Sequence, residues 1–381
     1  LAGKAEQEGA MDVALKFREQ ATARADTLEV QVDANEANLK QDRLQIGATY
    51  AEHARTAALN YDPATATEMW RKAIAQVEDW DETLAAGYRN NLGVALMEAG
   101  GRAMGTAELE EAVQVLEASL QTFDRQSAAL DWAHALSNLG NVYQQLGDKE
   151  RDPERYRQAA EAHERALEVL NRDEHPLDWA TAENNLGIAH ARLGEGSGDV
   201  EELQAAVDAF HLALEERTKE RVPLDWAATN DNLGSALSTL GGVLGDGDAF
   251  AQGIAAFRAT LEVRSRDIAP YDWAFTQRNL GLALKTLGVG TDDVSLLREG
   301  AEAYREALTV FSATKGPADW AQTNAILGFA LMEIFKRAPA RDVLVEARAA
   351  FAEALAIYGA QSADDEAYFE GRIAEIDELL G

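Results

Sequence analysis

The sequence predicts an all-α protein, a right-handed α-solenoid of stacked helix-turn-helix repeats closed by a C-terminal cap helix. Three observations predict it. An Asp-Trp pair recurs at a step of 47 residues, at Asp131/Trp132, Asp178/Trp179, Asp225/Trp226, Asp272/Trp273 and Asp319/Trp320. A glycine follows each tryptophan by eight residues, at Gly140, Gly187, Gly234, Gly281 and Gly328. No stretch alternates apolar and polar residues at period two, as a half-buried strand would. A fixed period of this length marks an array in which each repeat buries its apolar face on the next.

Taken in order, residues 1–33 predict an N-terminal helix or half-repeat. Residues 34–84 form a degenerate repeat, with Ile46, Gly47 and Tyr50 in its first half and Ala66, Trp70, Ala73 and Ile74 in its second. Residues 85–362 hold six 47-residue repeats. The first has Ala85 in the tryptophan slot and "NNLG" ending at Gly93. Their second halves keep one pattern, from Ala112, Leu116, Ser119 and Leu120 to Ala347, Phe351, Ala354 and Leu355. His163 stands where other copies have Phe210, Phe257, Tyr304 and Phe351, so a packed core imidazole is expected. Residues 363–381 lose the pattern. Phe369, Ile373, Ile376 and Leu380 make one apolar stripe on an acidic helix, which suits a cap.

Each repeat reads as two helices. Asp178 is expected to cap the first, with Pro176 just outside it, Trp179 opening it and Gly194 ending it in a left-handed conformation. Asp199 is expected to cap the second, with Glu202 completing a capping box and the helix running to about Lys219. Asp248 and Asp293 read as caps of later helices. Trp179 and Leu186 share one helical face and are expected in the core, so Trp226→Ala should cost about 3–5 kcal/mol. Gly187, without a side chain, lets a neighbouring helix approach.

The segment "SNLGNVY" (Ser137 to Tyr143), followed by a small-x3-aromatic-x2-Ala pattern, resembles the tetratricopeptide repeat (TPR). That family repeats about every 34 residues, so this would be an extended variant. The resemblance covers roughly residues 35 to 360. HEAT and armadillo arrays have similar periods, but the Leu-Gly and Ala-x3-Phe-x2-Ala spacing favours the TPR-like reading. The resemblance implies protein or peptide binding in a concave groove lined by first helices. The groove slots lie six and three residues before the repeat glycine, and one and four after it. They yield the candidate partner-binding residues Asn90, His134, Ser137, Asn141, Gln144, Thr181, Asn184, Asp231, Phe275, Arg278, Lys285, Gln322 and Phe329. Met332 adds to an apolar anchor with Phe275 and Phe329. The family's clamp for chaperone tails needs converging cations, which the middle slots Ser137, Asn141, Ala228 and Asn232 lack. The asparagines before Leu-Gly (Asn91, Asn138, Asn185, Asn232, Asn279) read as structural.

Composition narrows the function. The net charge is −31, from 66 acidic and 35 basic side chains, with no basic run. Such a field repels phosphates, so neither nucleic acid nor an anionic membrane is an expected partner. No apolar run approaches the length of a spanning helix. Absence of cysteine removes disulfides and thiolate chemistry. No metal, nucleotide or nucleophile motif is present, and "GEGSG" at Gly194 to Gly198 reads as a turn. The expectation is therefore a scaffold or adaptor with no enzymatic activity and no cofactor. The alternative is a sensor or regulatory arm of a larger protein, favoured by Leu1 in first place and the half-repeat behind it. The cytoplasm is the expected location, or the periplasm or exterior after loss of a leader. Replacing Asn184, Asp231 and Arg278 together by Ala is expected to abolish partner capture with little change in melting temperature.

Overall fold

A computed structural model describes residues 11–381. Among the described residues the regular structure is α-helical, apart from one isolated bridge between Ser312 and Lys315. The chain divides into two compact units, Leu1–Lys149 and Glu150–Gly381.

The first unit holds α1 (Met11–Leu59), α2 (Pro63–Val77), α3 (Glu82–Arg102), α4 (Ala107–Thr122) and nearly all of α5 (Ala129–Glu150). One continuous helix, α1, runs through residues 33 and 34. Successive helices from α1 to α4 pack side by side. Trp70, Tyr88, Leu96, Leu109, Leu116 and Leu146 form the core. Ser119 Oγ donates to the Ala86 carbonyl at 2.8 Å and so ties α4 to α3.

The second unit holds α6 (Pro153–Leu167), α7 (Pro176–Ser197), α8 (Val200–Glu216), α9 (Pro223–Leu244), α10 (Gly247–Leu261), α11 (Pro270–Gly290), α12 (Val294–Leu308), α13 (Pro317–Arg337), α14 (Arg341–Tyr358) and α15 (Ala363–Leu380). Each helix packs on the next, and the first helices α7, α9, α11 and α13 also touch in series. This is an all-α repeat solenoid. The last helix, α15, buries Phe369 and Ile376 against α14 and the end of the core. Its Asp377 pairs with Arg348 at 2.6 Å, and its far face stays exposed and acidic.

The repeat glycine meets the aromatic slot of its partner helix. A Cβ on Gly187, Gly234, Gly281 or Gly328 would lie 2.7–2.8 Å from a ring carbon of Phe210, Phe257, Tyr304 or Phe351. The deepest line of the first helices is small, with Ala180, Ala227, Ala274 and Ala321 fully buried. Close approach of backbones therefore builds the repeat, and the bulk that fills it comes from the second helix.

Several local expectations shift. Pro176 is the first residue of α7, and His175 is the cap residue, making no side-chain cap bond. Proline suits that place because its missing N–H would have no partner there. Asp178 lies within the first turn, where a carboxylate meets the positive end of the helix. The helix continues past Gly194 to Ser197, and Gly198 takes the left-handed φ of 69°. Gly194 is internal because Leu203 packs on it, its Cγ 2.6 Å from where a Cβ would lie. Asp199 caps α8 as expected, accepting from the Glu201 and Glu202 amides. Glu202 does not close a capping box, because its carboxylate lies 2.6 Å from His190 Nδ1. The helix stops at Glu216, short of Lys219. Asp293 caps α12, but α10 is capped by Asp246 rather than Asp248.

The tryptophans also sit shallower than expected. Trp132 is buried, whereas Trp179, Trp226, Trp273 and Trp320 are half-buried, as is Leu186. Three of these five tryptophans meet a cation from the preceding loop. Arg125 lies 5.3 Å from the Trp132 centroid, Arg172 5.3 Å from Trp179, and Lys219 5.7 Å from Trp226. The early helix start carries the indole out of the helix pair to its end, where one face stays wet and a cation covers it. His163 is fully buried in α6, and among the described residues neither ring nitrogen has a hydrogen-bond partner. Burial lowers its pKa to about 3, so it packs as a neutral ring.

Candidate interaction site

In the first unit, His134 is exposed, while Asn90, Ser137, Asn141 and Gln144 are half-buried. Asn90 Oδ1 accepts from Asn138 Nδ2 at 3.0 Å, linking α3 to α5. The same bond recurs in the second unit, where Asn232 Nδ2 donates to Asn184 Oδ1 at 3.2 Å. In these two copies the asparagine before Leu-Gly reaches back to the preceding first helix, whereas Asn91 donates to the Gly87 carbonyl of its own helix at 3.0 Å.

The slots before the glycine are largely occupied within the second unit. Asn184 is buried and also donates to Asn185 Oδ1 at 3.1 Å. Thr181 Oγ accepts from Arg217 Nη2 at 2.9 Å, and the other Arg217 nitrogen donates to Thr229 at 3.0 Å. Asp231 is largely buried beside Arg264, 3.9 Å away. Burial raises its carboxyl, against the opposing pull of Thr276 and Arg264. Arg278 donates to Asp319 at 2.9 Å and Gln322 at 3.0 Å, and lies 4.8 Å from the Phe275 centroid. Phe275 in turn meets Phe311 edge-on at 5.1 Å. Arginine at 217 and 264 takes a slot that holds Phe311 and Tyr358 in later copies. That substitution of a cation for an apolar residue is the signal in the sequence that these polar slots are spoken for.

The slots after the glycine open into two cavities. The first, of about 350 Å³, lies between α9 and α11 and is lined by Ser235, Ser238, Thr239, Asn279, Leu282 and Thr286, with Glu195 at its rim. The second, of about 410 Å³, lies between α11, α13 and α15 and is lined by Lys285, Thr286, Phe329, Met332, Lys336 and Arg372. Thr286 lines both, so the two cavities adjoin at that side chain and together make a stepped trough beside three first helices. Of the thirteen expected residues, the trough takes in Lys285 and Phe329. It adds positions five and eight after the glycine, among them Thr239, Thr286, Val289 and Lys336, which sequence reasoning missed. They continue the same helical stripe by one further turn, and i, i+4 spacing could have found them.

The hydroxyl groups of the trough are oriented. Ser238 donates to the Gly234 carbonyl at 2.7 Å, Thr239 to Ser235 at 3.0 Å and Thr286 to Leu282 at 2.8 Å. Each proton is used on its own helix, which leaves oxygen lone pairs to accept from an incoming N–H. Phe329 is fixed edge-on against Phe351 at 5.0 Å and makes a firm apolar floor. Lys285 is half-buried, and among the described residues no carboxylate lies within ion-pair distance of it. Burial lowers its pKa, against the raising field of Glu333. Glu333 itself is bonded to Lys336 and to Arg337, both at 2.6 Å.

Among the described residues no group of three or more His, Asp or Glu side chains is placed to hold a metal ion, and no helix is long and apolar enough to cross a membrane. A comparison with curated proteins gives no match. Among solved structures, the C-terminal part of a TPR repeat-containing protein from Cytophaga hutchinsonii is similar at 13% identity. The alignment covers 80% of this chain and 94% of that one, with a TM-score of 0.47. A tetratricopeptide repeat protein from Parabacteroides merdae is similar at 14% identity over 87% of this chain and 99% of its own, with a TM-score of 0.48. Likeness this loose carries no function across. The tetratricopeptide-repeat family model matches residues 132–177. That segment, a tetratricopeptide repeat by this match, is one copy of the unit that recurs every 47 residues along the array.

Proposed function

We propose that the chain is a scaffold or adaptor that holds an extended segment of a partner protein in the trough of its second unit. Tetratricopeptide repeats generally mediate protein–protein interactions, and the fold is typically a non-enzymatic scaffold. The observation that supports the finer reading is the adjacency of the two cavities, which share Thr286. Lone pairs on Ser238, Thr239 and Thr286 suit the N–H groups of an extended backbone. Phe329 and Met332 suit a single apolar anchor.

The test is a photo-crosslinking amino acid placed at Ser235, at Lys336 or at Ala255, which is exposed on α10. Adducts with cellular protein should form from Ser235 and Lys336 and not from Ala255. Adducts from Ala255 alone would move the binding face to the second helices.

A further inference from the structure

The trough is not uniform along its length. At the α9 end its rim carries Glu195, and its wall is made of hydroxyl acceptors. At the α13 end three cations, Lys285, Lys336 and Arg372, stand around Phe329 and Met332. Lys336 is matched by Glu333 at 2.6 Å, and Arg372 by Glu375 at 3.1 Å. Among the described residues Lys285 has no acid within ion-pair distance, and it lines the cavity together with Phe329 and Met332. A half-buried cation beside aromatic carbon is a strong place for one carboxylate, because water screens the pair poorly there. It is a poor place for a polyanion, given Glu195, Glu333 and Glu375 nearby and a chain charge of −31.

Length follows from packing. Three first helices at about 8–10 Å between neighbours span roughly 20 Å. At about 3.3 Å per residue that is an extended segment of about six residues.

We infer that the occupant is an extended peptide segment of about six residues, with a bulky apolar side chain and an acidic side chain within two residues of each other at its α13 end. The apolar group sits on Phe329 and Met332, and the carboxylate pairs with Lys285. The other end is neutral or basic, since Glu195 there is already matched by Arg192 at 2.9 Å and the pair adds no free cation. This rests on the trough being the binding face. The carboxylate is that of a side chain, so a free C-terminus is not needed.

The probes are rhodamine-labelled peptides with acetylated and amidated ends, Lys-Ser-Thr-Ser-Leu-Glu and its reversed sequence, each with a Glu-to-Gln control. Fluorescence anisotropy should show the Glu form of one direction binding at least tenfold more tightly than its Gln form. Lys285→Met should abolish that discrimination, and Lys285→Arg should retain it. Phe329→Ala should weaken the Glu and Gln forms alike. Thermal melts of each variant confirm folding, and Lys285→Gln replaces Lys285→Met if the latter does not fold. Equal binding of Glu and Gln peptides, no binding of either direction, or discrimination that survives loss of the Lys285 charge would overturn the inference. If the crosslinks from Ser235 and Lys336 still form in that case, only the partner chemistry is wrong. If they are absent too, the binding face itself is wrong.

Discussion

Gly234 packs against the ring of Phe257, so that a Cβ on the glycine would sit 2.8 Å from Cε1. Neither residue can change alone without cost. Gly234→Ala should destabilise the second unit by about 1–2 kcal/mol, overpacking outweighing the gain in helix propensity. Phe257→Ala should cost about 3–5 kcal/mol. In the Phe257→Ala background the glycine substitution should become neutral or favourable, a coupling that a denaturant double-mutant cycle reads directly. Strict additivity would sink the assignment of this pair as the repeat's packing contact.

Trp226 is half-buried under Lys219, while Phe257 is almost fully enclosed. Trp226→Ala should therefore cost less than Phe257→Ala, about 2 kcal/mol, below the range for a fully buried aromatic residue. The comparison needs only two urea titrations. A tryptophan variant that proves the more damaging would return the indole to the core.

Triple replacement of Asn184, Asp231 and Arg278 by Ala should lower the melting temperature of the second unit by more than about 5 °C. It removes the amide link to Asn232, the carboxylate near Arg264 and the ion pair with Asp319. Each loss also strands a polar partner that is at least half-buried, at a cost of about 1–3 kcal/mol. The neutral outcome expected from the sequence would require these contacts to be absent in solution.

Two buried titratable groups of the second unit oppose one another in pH. His163, lowered from 6.5 to about 3, contributes stability that is whole above pH 6.5 and is lost as pH falls through 3. Glu183, raised by burial from 4.5 to about 7, contributes stability that is whole below pH 4.5 and is lost as pH rises through 7. Between pH 4.5 and 6.5 the two slopes cancel, and stability should be nearly flat from these groups. His163→Phe should leave a stability that falls with rising pH in this window, and Glu183→Gln one that rises. Each slope is bounded by about 1.4 kcal/mol per pH unit, the value for a single proton. Chemical denaturation across the window measures both. A steep slope in the wild type that neither variant alters would sink the pairing.

Much of the architecture was legible in the period. The glycine, the small line around it and the aromatic slot 23 residues later are local in register, and each repeats because the same packing recurs. The helix starts were less legible, since Pro176 and Asp178 are both good N-terminal residues and only the backbone decides which position each takes. The residues that line the trough were half legible. Helical geometry placed Lys285 and Phe329 on the open face, but it also placed Thr181, Asn184, Asp231 and Arg278 there, and these proved to be tied down.

By itself, then, the sequence determined the helical class, the spacing of the small and aromatic positions that join the helices of a repeat, and the acidic end helix. Only the tertiary structure decided which polar side chains of the open face are already bonded within the chain. The reason is distance along the chain. Arg217 reaches Thr181 across 36 residues, Asn232 reaches Asn184 across 48, and Arg278 reaches Asp319 across 41. A helical wheel shows which face a residue occupies. It does not show which side chain of the next repeat arrives there to claim it, nor that Lys285 alone among its neighbours is left unclaimed.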